Sequence, residues 1–191
     1  VYVSEKGALV VSHDKLRERM KGNPDLNTGP GALPVVTFSD RMTFHVNGEQ
    51  AVAIHVPDAH TDGDAIIHFV NANVIAAGDL SFRGMFPFID IDSGGTVAGF
   101  KAGLRLLIDM ADEDTKFITG HGPVGTRAGL AKDLAMLEDA EARVKALVDK
   151  GMSEEEILAA NPLADYHDEY SWFFITTERM TKTFIRSLTQ D

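Results

Sequence analysis

Cysteine is absent from the 191 residues. Disulfides, thiolate metal ligands and a Cys nucleophile are therefore excluded, and any metal must be held by histidine and carboxylate. No apolar run is long enough to span a bilayer. Basic residues are scarce, 18 against 29 acidic, for a net charge of −11. That balance, with no Lys/Arg cluster in the sequence, argues against nucleic acid and anionic membrane as partners. A G-x-S-x-G elbow, a P-loop and a dinucleotide-binding glycine fingerprint are also missing, which removes serine hydrolysis of that type and common nucleotide chemistry. The 44% hydrophobic and 25% charged fractions are those of an ordinary globular chain, and the length suits one domain, residues 1–191. Lack of cysteine fits a periplasmic and a cytoplasmic protein equally, so localisation stays open.

What the chain does contain is a set of glycine-rich turns after apolar runs. Val52, Ile54 and Val56 lead into His60-Thr61-Asp62-Gly63-Asp64. Val74-Ile75-Ala76-Ala77 leads into Gly78-Asp79-Leu80, and Phe117-Ile118 into Gly120-His121-Gly122-Pro123. This pattern places His60, Asp79 and His121 at the ends of three strands, where imidazole and carboxylate can share an ion. Each has a plainer reading: a loop histidine, a turn aspartate, and a histidine in an ordinary turn before a helix. A carboxylate at the end of a buried strand must still be paired, hydrogen-bonded or metal-bound.

Periodicity predicts the remaining elements. Tyr2-Val3 reads as a strand remnant. Lys6 to Met20 reads as an amphipathic helix capped by Ser4 and carrying an exposed His13. A loop covers Lys21 to Pro34. Asn47-Gly48 marks a hairpin between Arg41 to Val46 and Glu49 to Val56. A second hairpin joins Ala65–Val70 to Val74–Ala77. Helices are expected over Thr96 to Met110, Arg127 to Lys150 (closed by Gly151), from the Ser153 capping box, and over Trp172 to Leu188. His45, His55 and His68 read as sheet residues, and His167 as a loop residue near the C-terminus. The stretch Ser81 to Gly95 reads as a loop whose aromatics either cover the core or wall a pocket. Arg83, Phe86 and Phe88 are its candidate substrate contacts. Unaided, these patterns give a mixed α and β chain.

The order and flanks of the three turns resemble the metallo-β-lactamase superfamily. The resemblance implies an α+β fold, the αββα sandwich, with its C-terminal two-thirds present and the N-terminal part incomplete, since the H-x-H-x-D-H motif of that family is not in the sequence. It implies that His60 completes the ligands of a first metal, that Asp79 bridges two metals and that His121 serves the second. Zinc is the expected ion, one or two per site, with manganese or iron as alternatives. The implied function is hydrolysis of a small carbonyl-type substrate (β-lactam, lactone or thioester-like), with the isolated chain inactive for want of half its ligands. A non-catalytic remnant acting by association is the alternative, and a nuclease is disfavoured by charge. Missing strands would leave an open sheet edge, which a homodimer would cover.

Overall fold

The computed structural model describes residue 4, residues 6–27, residue 29 and residues 31–189. The reading of Tyr2-Val3 lies outside them. The sequence folds around a five-stranded sheet of order β3-β4-β5-β6-β7: Arg41–Val46, Glu49–Val56, Asp64–Phe69, Val74–Phe82 and Lys116–His121. The first four strands run antiparallel, and β7 lies parallel to β6. Asn47 and Gly48 close the first hairpin with φ of 53° and 75°, the left-handed pair that a tight two-residue turn requires.

One face of this sheet is the core. Val56, Ile66, Ile75, Ala77 and Phe117 meet Phe100, Leu104 and Leu107 of α2 (Val97–Met110) and Leu130, Leu137 and Val144 of α3 (Arg127–Val148). Thr96 and Thr126 start these helices, each accepting from a glycine N–H three residues on. Ser153 and Glu156 form a reciprocal capping box for α4 (Glu154–Ala160). The short α5 (His167–Tyr170) precedes α6 (Thr177–Thr189), which packs on α3. Gly99 explains how closely α2 meets the turn before His60. A Cβ there would lie 2.0 Å from the Asp58 carbonyl oxygen.

The other face carries a small second layer. Strand β1 (Val11–His13) pairs in parallel with β2 (Val36–Phe38), and α1 (Asp14–Gly22) follows directly. The His13 ring stacks on His55 of β4 at 3.6 Å, and Arg19 of α1 pairs with Asp62. The layers therefore run helix, sheet, sheet, helix, as expected. Beyond this cover, Met42, Ala53, Ile67, Ala76 and Ile118 align in one apolar row across all five strands. Ile118 at its end is exposed.

Five expectations need correction. The helix expected over residues 6–20 is a turn, a strand and then a helix beginning at Asp14. Val11-Ser12-His13 is a strand because it pairs with Val36-Thr37-Phe38, a partner that the helical spacing of Leu9, Leu16 and Met20 does not reveal. Ser4 does not cap it; its hydroxyl donates to the Gly31 carbonyl. His13 is buried, its Nδ1 accepting from Lys15 N–H at the helix start and its Nε2 donating to the Ser39 carbonyl. Finally, β6 runs on to Phe82, and the last helix starts at Thr177, after an irregular Trp172 to Thr176.

Candidate metal centre

Three elements bring the expected trio together. His60 sits in the turn leaving β4, Asp79 lies on β6, and His121 ends β7. His60 Nε2 stands 3.7 Å from Asp79 Oδ2, and His121 Nε2 stands 3.5 Å from Asp79 Oδ1. Each oxygen of one carboxylate thus faces one imidazole. Asp79 and His121 are half-exposed, so the group opens to solvent, while His60 is more enclosed.

Local chemistry sets these orientations. His60 Nδ1 donates to the Phe88 carbonyl at 2.8 Å. A carbonyl only accepts, so Nδ1 carries a proton and Nε2 is the ring nitrogen turned toward Asp79, the orientation of a metal-ligating histidine with an outer partner. His121 is held by rings: it stacks on Phe82 at 4.6 Å and 13°, and Trp172 lies at 5.8 Å. Phe82 and His121 are register partners across β6 and β7, which puts the rings side by side. Gly120 leaves room for the carboxylate, since a Cβ there would stand 2.2 Å from Asp79 Oδ1.

The donors fit a cation. Two ligands about 2.1 Å from one zinc at the tetrahedral angle stand about 3.4 Å apart, close to both separations seen here. The set is two pairs sharing Asp79 rather than a closed cage. Among the described residues, no three or more His, Asp or Glu side chains are gathered as a complete metal-holding group.

The expected substrate contacts divide. Phe88 lies at the site: its ring meets His60 edge-on at 5.6 Å and also packs against Phe174 at 5.3 Å. Phe86 is fully buried against Tyr166 and Tyr170, in the core rather than on a pocket wall. Arg83 turns its guanidinium to Asp133 and the Gly129 carbonyl on α3. Burial pushes the Asp133 carboxyl up from its ordinary range, against the opposing pull of Arg83. Arg83 still serves the centre through its backbone, whose N–H donates to the His121 carbonyl at 2.9 Å. The sequence reading missed Trp172 and Phe174 as neighbours of the site. The aromatic run Trp172-Phe173-Phe174 was the available signal, and it was absorbed into a helix. His167 opens α5 on the surface, and His68 stays in mid-strand.

Comparison with known proteins gives a consistent picture. A family model described as the metallo-beta-lactamase superfamily matches residues 2–127. Among solved structures, a metallo-beta-lactamase from Pontibacter korlensis is 19% identical with a TM-score of 0.61, covering 72% of this chain and 61% of its own. The B3 metallo-beta-lactamase BLEG-1 is 20% identical with a TM-score of 0.56, over 69% of this chain and 66% of its own. The sec-alkylsulfatase Pisa1 from Pseudomonas sp. is 15% identical with a TM-score of 0.60, over 82% of this chain and 27% of its own. This chain therefore spans less than two thirds of the length of each of these proteins. No curated protein matches it.

Proposed function

The chain belongs to the metallo-beta-lactamase superfamily, and from that premise we propose that it carries half of the ligand set of a metal-dependent hydrolase acting on a small carbonyl-type substrate. His60 and Asp79 would hold one ion, and Asp79 and His121 a second. Zinc is the ion this nitrogen and oxygen set suits, with manganese or iron as alternatives. The observation that carries the reading is the pairing of both imidazole Nε2 atoms with the two oxygens of Asp79, with the His60 orientation set by Phe88.

When bound, zinc supplies Lewis acidity that brings the pKa of a water toward neutrality and polarises a carbonyl. The chain's own residues do the rest. Phe88 keeps His60 in its ligating orientation. Phe82 and Trp172 fix the His121 ring, Phe82 by stacking on one of its faces. With the Phe88 and Phe174 rings they offer an apolar wall for the body of a β-lactam, lactone or thioester-like substrate.

Catalytic zinc usually has three protein ligands, and this chain offers two to each side of Asp79. Wild-type protein equilibrated with zinc and gel-filtered is expected to retain less than one equivalent by elemental analysis. Hydrolysis of a β-lactam, lactone and thioester panel is expected to stay near background until the missing ligands are supplied. Unchanged zinc content in a variant with both His60→Ala and His121→Ala would overturn the assignment.

A second reading, association of a non-catalytic domain, draws on β3, which among the described residues ends the sheet with one side unpaired. We propose that a second copy pairs along this edge. Light scattering is expected to give twice the 20.8 kDa chain mass, and a monodisperse single-chain mass would rule the pairing out.

A further inference from the structure

A groove of 260 Å³ runs beside the candidate metal centre, between residues 88–92 and α6. Its wall is continuous with the centre through one ring. Phe88 meets His60 on one side, and the Arg179 guanidinium on the other, 5.4 Å from the ring centre. Arg179 also lies 4.2 Å from the centre of the Phe174 ring, and its Nη1 donates to the Phe174 carbonyl. Two rings and a carbonyl thus hold the fork in place before any ligand arrives.

The charges around it are unevenly matched. Lys182 pairs with Glu178, and Arg186 with Asp92. Asp90 accepts from the Ser93 N–H and acts electrostatically on Arg186. Among the described residues, no carboxylate pairs with Arg179. In a chain of net charge −11, an arginine held between rings without an acidic partner, one ring away from metal-ligating chemistry, is suited to an anion.

We propose that Arg179 is the specificity-determining residue of this site, binding the acid group of a carboxylate-bearing substrate whose apolar body lies on Phe88, Phe174 and Trp172. The proposal rests on the reading of the site as a substrate cleft, but not on bound metal. A planar, forked guanidinium matches a carboxylate with two parallel N–H donors, which an uncharged amide cannot reproduce.

Trp172 is the only tryptophan in the chain, and its ring lies 5.6 Å from Phe174, so its fluorescence reports occupancy directly. The full chain, kept in a chelator, is titrated with phenylbutyrate and with its uncharged amide, phenylbutyramide. The wild type is expected to bind the acid about tenfold more tightly than the amide. Arg179→Gln is expected to bind both alike, and Arg179→Lys to keep part of the preference, with circular dichroism melts confirming that both variants fold. Raised salt is expected to narrow the wild-type preference toward that of Arg179→Gln. An unchanged preference in Arg179→Gln, equal binding of acid and amide by the wild type, or no response to either overturns the proposal. Since metal is withheld throughout, these outcomes are independent of the zinc content that tests the hydrolase reading.

Discussion

Asp79→Asn is expected to abolish the rise in melting temperature that zinc gives the wild type. A ligand that binds only the native state at about a hundred times its dissociation constant adds about 2.7 kcal/mol. In a chain of this size that is a shift of about 5–10 °C. Asparagine keeps the shape of the side chain but replaces one oxygen by an NH₂ that has no lone pair to offer. One of the two histidines then faces a donor instead of a shared ligand. The side chain is 42% exposed, so the fold should survive the change, and the melt without zinc should match the wild type. The check is a pair of thermal melts at rising zinc concentration. An undiminished zinc shift in Asp79→Asn would mean that the ion binds elsewhere, among carboxylates unrelated to this centre.

Phe86→Ala carries the largest expected loss of stability, about 3–5 kcal/mol, or about 10 °C in melting temperature. Its ring is wholly buried. Its backbone also joins two parts of the chain: the N–H donates to the Tyr170 carbonyl at 2.8 Å, and its own carbonyl accepts from Trp172 Nε1 at 2.9 Å. Truncating the ring opens a cavity beneath Tyr166 and Tyr170 and loosens the segment that brings Trp172 to His121. Denaturant melts read the first effect, and Trp172 emission reads the second. A variant of wild-type stability with an altered ligand preference would restore Phe86 to the pocket wall, where the sequence alone had put it.

That His60, Asp79 and His121 meet was legible because each lies in a glycine-containing turn after an apolar run, and local sequence carries that signal. Hairpins were legible for the same reason: Asn47-Gly48 specifies its turn with two residues. Partners distant in sequence were not. Arg83 looked available for a substrate until Asp133, fifty positions later, took its guanidinium. Phe86 looked like a pocket residue until Tyr166 and Tyr170 closed over it. The first helix was misplaced because Leu9, Leu16 and Met20 keep helical spacing across a strand of only three residues, too short to show its own period. His13 seemed exposed for the same reason, since its partner His55 lies on another layer. Arg179 gave no motif at all. Its interest comes from two rings, Phe88 and Phe174, that only the fold brings to it.

Gly78 has a wider consequence. Before it, β6 sends Ile75 and Ala77 inward; after it, Leu80 and Phe82. Between Ala76 and Phe82 the strand spends three more residues than β7 uses to keep pace with it, an odd number, so its alternation changes phase part-way along. The φ of +54° at Gly78 absorbs the change. Asp79 lies just past that break, and the arrangement behaves like a reading frame. Substitutions nearby alter one side chain, but loss of a single residue between Ala76 and Leu80 would move every later position of the strand to the opposite side. Leu80 and Phe82 would leave the interior and Arg83 would enter it, and His121 would lose its stacking partner in the same step. Length, more than identity, is the quantity that this short stretch must conserve.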